Sequence, residues 1–250
     1  MSRSPLILSP ALPSELLTYI VQYESHPTTL LICCSRAEFV SNLVSDVQDS
    51  LARPDDDNGP SSPNAASTLL SSPLYQVAIA RHIRMVFIPT VSHLRAYLSV
   101  FNLADSKIPP PPNNVSGTGE RQPLLLVYGF LGLHRDTSEW SAQGISATAA
   151  ALVEAARKNG FGAVVVDAPS TALGKDDGIV DEDAVSRTQR TMLEEEVPLL
   201  SASGVRAGAD FEDAAWTGRR VSVDRVLGRW FQHKEGDWSK KSRESKETVS

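Results

Sequence analysis

The sequence has few of the residues that mark disulfide-rich, metal-binding or membrane-spanning proteins. Only two cysteines occur in 250 residues, and Cys33 and Cys34 are adjacent, so neither a disulfide scaffold nor a CxxC metal or redox motif can be built. The apolar start, Leu6 to Leu8, is too short for a signal peptide, and no apolar run approaches the ~20 residues of a membrane span. We therefore expect a protein of a reducing compartment, nuclear or cytoplasmic, that is neither secreted nor bound to a membrane.

A strong net charge is also lacking. Thirty acidic residues against 24 Lys and Arg give a formal charge of -6, so any nucleic-acid site must be local. With 41% hydrophobic residues the chain can build one sizeable core. We expect a single α/β domain over residues 1–233, with its core at 26–168.

Four segments are poor in large apolar side chains. Residues 53–73 and 105–122 are rich in Pro, Ser and Asn, and 170–215 has charge clusters with weak periodicity. Because such composition cannot offset the entropy of ordering, we predict mobile loops at these three places. The charged tail 234–250 is predicted to be disordered.

Apolar runs and amphipathic segments alternate along the rest of the chain. Continuous apolar runs are typical of strands buried on both faces, and apolar residues recurring every three or four positions predict helices. This alternation predicts a mostly parallel sheet covered by helices on both sides. The predicted strands are 30–34, 84–89, 123–128 and 162–167, and the predicted helices begin at Pro13, at Ser35, at Ser92 and near Ile145.

The helix after the first predicted strand carries the clearest local signals. Ser35 and Glu38 have the spacing of a capping box. Its predicted buried face consists of six residues at helical spacing, namely Phe39, Val40, Leu43, Val44, Val47 and Leu51. The earlier helix, 13–24, is expected to pack outside the sheet.

The turns that follow the strands are where such a sheet binds ligands, and here they lack phosphate-binding residues. A phosphate loop needs glycines and a lysine, but none of either occurs from residue 25 to 58. The third predicted strand ends in Tyr128 and Gly129, so no carboxylate is placed to hold magnesium. We therefore predict neither a nucleotide nor a metal at this edge.

Two catalytic alternatives compete with structural roles. His134 with Asp136 or Glu139 could form an acid-base pair, but residues of this kind also cap the following helix. Ser170 loosely resembles the nucleophile of a hydrolase elbow, although alanines stand where the strained turn needs glycines. Because only His233 follows as a histidine, a small α/β hydrolase is the less favoured alternative.

The order of these parts resembles the RecA-like ATPase core in a degenerate form. A strand runs directly into a helix where the Walker A loop would be, Tyr128 or Gly129 stands where the Walker B Asp would be, and Asp167 ends a strand where the family often places a γ-phosphate sensor. The resemblance covers about residues 26–168. It is closest in kind to members that do not bind ATP, namely recombinase paralogues of the Shu-complex type and the RecA-like subunits of Elongator.

This resemblance implies a RecA-like three-layer α/β/α sandwich that works by association. No catalytic, cofactor-binding or metal-binding residue carries over from the family. The implied role is a non-catalytic subunit of a hetero-oligomer with RecA-like partners, assisting homologous recombination and DNA repair in the nucleus. The alternative within the same fold is an Elongator-type subunit in tRNA modification.

The C-terminal segment from Trp216 to Phe231 concentrates arginine and tryptophan. Such residues suit a protein interface or contacts to single-stranded DNA, and they also suit an ordinary last element with its arginines in solvent. The candidate contact residues are Arg219, Arg220, Arg225, Arg229 and Trp230, with Arg225 and Arg229 predicted as neighbours on one helix.

Overall fold

The computed structural model describes residues 4–23, 27–52, 77, 79–102, 122–169, 193–200, 219–236 and 238. The loops predicted at 53–73 and 105–122 lie outside these ranges, apart from Gln122, and so do most of 170–215 and residues 239–250.

Eight strands and six helices are described in these ranges. The strands are β1 (Leu6–Leu8), β2 (Thr28–Ile32), β3 (Ile83–Phe87), β4 (Leu124–Tyr128), β5 (Gly162–Val166), β6 (Glu196–Pro198), β7 (Arg220–Ser222) and β8 (Gln232–Lys234). The helices are α1 (Pro13–Tyr23), α2 (Arg36–Ala52), α3 (Val91–Val100), α4 (Phe130–His134), α5 (Ala142–Lys158) and α6 (Val223–Leu227).

Six of these strands form one sheet in the order β3-β2-β4-β5-β1-β8. Every neighbouring pair in it is parallel, and β6 and β7 form a separate antiparallel pair. The middle strands β2 and β4 are buried along their whole length, as continuous apolar runs predict. The predicted fold class, an α/β sandwich around a mostly parallel sheet, is confirmed.

Helices cover both faces of this sheet. One core joins Leu31, Leu125 and Val165 to residues of α3, α5 and α6, and the other joins Leu30, Leu126 and neighbouring strand residues to α1 and α2. Since successive side chains of a strand point to opposite faces, adjacent residues serve the two cores. Leu16 and Ile20 of α1 are almost fully buried against this second core, so α1 packs on the outside of the sheet, as expected, and is one of the helices that cover it.

Three of the described short strands were not predicted: β1, β8 and β6, the last of which lies within the loop predicted at 170–215. Leu6–Leu8 pairs with both β5 and β8, so the N-terminal apolar residues lie inside the sheet. Lys234, predicted as the start of a disordered tail, is the last residue of β8, and Trp238 packs edge-on against Tyr19 of α1 at 5.2 Å between ring centroids. The described structure therefore extends beyond the boundary predicted at residue 233.

The edge of the sheet at β3 differs from the prediction of a fully buried strand. Among the described strands, β3 has a neighbour on one side only, and Met85 is 42% exposed. The helix beside it also departs from its predicted burial: Ser35 caps α2 as expected, accepting from the Glu38 N–H at 3.2 Å, but Val40, Val44 and Leu51 are about half exposed. An edge strand offers too little surface to cover every apolar position of the helix.

Candidate functional site

The carboxyl edge of the sheet has a topological switch point between β2 and β4. The helix that follows β2 lies on one face and the helices that follow β4 lie on the other, so the two strand-to-helix turns diverge here. A sheet of this type binds its ligands at such a point. Cys33 and Gly129 are the first residues after the two strands.

The two turns are tied together by backbone hydrogen bonds. Cys33 donates to the Tyr128 carbonyl at 2.8 Å, and Gly129 donates to the Val166 carbonyl of β5 at 2.9 Å. Gly129 has φ +79°, a conformation that other residues adopt only with strain. Glycine at this position therefore serves the sharp entry into α4.

The side chain of Tyr128 reaches across the end of β5 at the carboxyl edge. Its side chain packs edge-on against Phe39 at 6.0 Å between ring centroids, and its hydroxyl donates to the carbonyl of Ala11 at 3.0 Å. Burial, with the nearby Asp167 carboxyl as a second cause, raises the pKa of this phenol far above its usual range. The phenol therefore stays protonated at neutral pH and keeps donating its hydrogen bond to Ala11.

Asp167 stands at the end of β5, where the family resemblance places a phosphate sensor. Its carboxylate accepts from the backbone N–H of Leu131 at 2.8 Å and also from that of Gly132, in the first turn of α4. Burial raises the pKa of Asp167 to about 6, and these bonds and Arg135 act in the opposite direction. The backbone carbonyl of Asp167 accepts from Ala11, so the residue joins three turns.

The loop that follows α4 does not bring the predicted acid and base together. His134 is fully buried, and its Nδ1–H donates to the Phe130 carbonyl at 2.8 Å because a carbonyl can only accept. Its Nε2 lies 2.9 Å from the Thr148 hydroxyl. Glu139 instead pairs with Arg95 at 2.5 Å, so the interpretation of His134 and Glu139 as a catalytic pair is wrong.

Arg95 connects this loop to two helices. Its Nε donates to Thr148 at 2.9 Å, and its Nη2 donates to the Gly144 carbonyl at 2.8 Å as well as to Glu139. Burial lowers the pKa of His134, and the Arg95 charge adds to this effect, so the imidazole is neutral near pH 7. Arg95, His134 and Thr148 therefore form a structural network that fixes α3, α4 and α5 to one another.

The two cysteines offer no activated nucleophile. Burial raises the pKa of Cys33 well above its usual value, and burial together with the Glu38 charge raises that of Cys34 to about 11. Thiols of this kind stay protonated at neutral pH and react slowly. In the part of the chain that the structure describes, no group of three His, Cys, Asp or Glu side chains is arranged to hold a metal ion.

The predicted contact arginines lie in or next to β7 and α6. Arg219, Arg220, Arg225 and Arg229 are all exposed. α6 ends at Leu227, so Arg229 lies beyond it, and the prediction that Arg225 and Arg229 share one helix is wrong. This segment packs on the face of the sheet opposite α2.

Trp230 differs from these arginines in its surroundings. It is half-buried against the core, and its indole N–H donates to Ser146 of α5 at 3.0 Å. Ser222 caps α6 by accepting from the Arg225 N–H, and Asp224 pairs with His233 of β8 at 3.0 Å. Trp230 thus anchors the segment to the core. The four arginine side chains remain exposed.

The described helices include none that could span a membrane. No family model matches the chain, and no curated protein matches it. Among solved structures, the chain is similar to a DnaB-like replicative helicase that was described with its interactions with primase, at 11% identity and a TM-score of 0.36. The match covers 73% of this chain and 44% of the helicase chain, so this protein spans less than half of that neighbour.

Proposed function

We propose that this chain is a non-catalytic subunit of RecA-like type that works by binding other chains of that fold, in homologous recombination and DNA repair. The observation that carries the proposal is the occupation of the carboxyl edge by the chain's own groups. Tyr128 reaches the Ala11 carbonyl across this edge, and Asp167 accepts from the first turn of α4.

Phosphate binding at this edge would need free backbone donors and a cation. The Leu131 and Gly132 N–H groups, which would otherwise be free at the start of α4, are already bonded to Asp167. A carboxylate there repels an anion, and neither the turn after β2 nor the turn after β1, residues 9–12, contains glycine or lysine. The edge therefore favours a structural role over nucleotide hydrolysis.

The exposed arginines supply the surface through which we propose that the subunit associates. Arginine is enriched at interface hot spots because its guanidinium can pair, stack and donate several hydrogen bonds. We favour a protein partner over DNA, since a net charge of -6 opposes the approach of a polyanion. Single-stranded DNA is then contacted jointly with a basic partner.

Affinity purification of the tagged full chain, with identification of the co-purifying chains, tests this function. We expect RecA-like recombination subunits to be retained, and we expect the variant with Arg219, Arg220, Arg225 and Arg229 changed to Ala to lose them. Recovery of Elongator subunits would place the chain in tRNA modification and overturn the proposed pathway. A monomer that retains no partner would overturn the proposed role itself.

A further inference from the structure

Four apolar residues on one flank of α2, beside its buried side, form what we call the α2 stripe: Val40, Val44, Val47 and Leu51. Val40 is 46% exposed, and Val44 and Leu51 are each 50% exposed, whereas Val47 is half-buried. Their spacing of four, three and four residues is that of the seam by which one helix packs along another. An apolar seam of this kind on a protein surface marks an interaction site.

The α2 stripe has no exposed charge from Val40 to Gln48, and the exposed Asp49 lies near its C-terminal end. Between Val40 and Gln48 the only ionisable residue is Asp46, which is buried and accepts from the Ser14 N–H at 2.9 Å. The exposed residues beside the stripe include Ser41 and Gln48. The middle of α2 therefore presents no charge that would repel a second copy of itself, although the whole chain carries -6.

The spacing also reads the same in both directions along the helix. When a second α2 lies antiparallel to the first, Val40 of each copy faces Leu51 of the other, and Val44 faces Val47. A two-fold symmetric interface requires such self-complementarity, because the same patch must serve both copies. The stripe satisfies this requirement over three turns of helix.

We propose that the α2 stripe is a self-association surface through which two copies of this chain pack their α2 helices antiparallel. The neighbouring edge strand extends the apolar surface, since alternation along β3 places the 42% exposed Met85 on the same face of the sheet as Ile83 and Phe87, and Phe87 contacts Phe39 of α2. This contact lies on the face of the sheet opposite the exposed arginines, so it leaves them free for another partner.

Sedimentation of the full chain tests this surface. The decisive variants introduce opposite charges at the two ends of the stripe. Wild-type protein is expected to sediment at twice 27.0 kDa at concentrations within ~1–100 μM. Val40→Glu and Leu51→Lys, each alone, are expected to raise the dissociation constant at least ~tenfold, because each puts a charge against an apolar partner. The double variant V40E/L51K is expected to recover most of this loss, since the introduced carboxylate of one copy then faces the introduced ammonium of the other.

Recovery of dimerisation in V40E/L51K cannot come from a salt bridge within one molecule. Residues 40 and 51 are separated by ~16 Å along a helix, so the new charges cannot pair within one molecule. Val100→Glu is the matched control, because Val100 is 70% exposed on α3, away from the stripe, and this variant should dimerise like wild type. Circular dichroism melting checks that each variant folds.

Three results would overturn the proposal. The first is a wild-type chain that stays monomeric over the whole concentration range, as expected if residues 53–76 or a different protein cover the stripe. The second is a dimer that survives both single substitutions. The third is a double variant that folds but remains as weak as the single variants, which would exclude the antiparallel arrangement.

Discussion

The hydroxyl of Tyr128, at the end of β4, donates to the carbonyl of Ala11, which follows β1, at 3.0 Å. β5 lies between these two strands in the sheet, so the bond bridges a whole strand at the carboxyl edge. The two residues are 117 positions apart in the chain. A single side chain thus ties the end of β4 to the turn after β1 at the carboxyl edge of the sheet.

Tyr128→Phe tests the energetic contribution of this bridge. The substitution keeps the ring that packs on Phe39 but removes the donor, and it leaves the Ala11 carbonyl without that partner. We expect a loss of ~1–2 kcal/mol in the free energy of unfolding, measured by urea denaturation. An unchanged urea midpoint would mean that the bond contributes nothing net.

Two buried threonines provide a matched pair for the network around His134. Thr148 contacts Arg95 and His134, so Thr148→Val should destabilise the protein by ~1–3 kcal/mol by leaving those groups unsatisfied. Thr29 is equally buried, yet its hydroxyl has no hydrogen-bond partner among the described residues. Thr29→Val, the same change within β2, should therefore be neutral or stabilising in thermal melts. Equal losses in the two variants would contradict the structural role of the network.

Asp167 should make stability depend on pH. Its pKa is raised from 3.8 to about 6, so ionisation is less favourable in the folded state than in the unfolded state. Its contribution to stability is fully present below pH ~4 and is lost as the pH rises through ~6, by at most ~3 kcal/mol for a shift of about two units. Asp167→Asn should remove this decline, as urea midpoints between pH 4 and pH 7.5 would show. A parallel decline in both proteins would assign the titration to another group.

The central strands could be predicted from the sequence because their side chains are buried on both faces. β4 and β5 are apolar throughout, and β2 has a short apolar run after two buried threonines, so the order of elements indicates a parallel sheet. β1 and β8 have three residues each, which is too short for a pattern to stand out. Their place in the sheet depends on pairing with distant strands.

Burial on α2 was harder to predict than the helix itself. Helical period identifies an apolar side but does not say how much of it the sheet can cover, so Val40 and Val44 were expected to be buried. In the candidate site, Tyr128 and Asp167 were recognised from their positions at strand ends. Arg95 was missed, because its contacts to Glu139 and Thr148 join residues 44 and 53 positions apart and leave no local signal.

The carboxyl edge of the sheet predicts that the purified chain does not bind Mg-ATP. The N–H groups at the start of α4 are bonded to Asp167, and no lysine is present in the turn after β2. Calorimetric titration should detect no binding at micromolar concentrations of nucleotide. Micromolar affinity would overturn the non-catalytic assignment, and Tyr128→Phe would then locate the site by changing that affinity.

The exposed arginines allow a prediction that separates a protein interface from DNA binding. If Arg219, Arg220, Arg225 and Arg229 contact phosphates, each change to Ala should weaken single-stranded DNA binding and reduce the log-log salt dependence by up to ~1, because each contact releases a counterion. At a protein interface, DNA binding should stay the same while partner retention falls, and this is the result we expect.

Trp230 needs a different comparison, since its indole donates to Ser146 and packs against the core. Trp230→Ala should lower thermal stability before it affects any partner, whereas the four exposed arginines should be replaceable without loss of stability. Partner retention by the quadruple arginine variant is therefore meaningful only alongside an unchanged melting temperature. A variant that folds, keeps its partner and binds DNA normally would leave the arginines as a solvated surface.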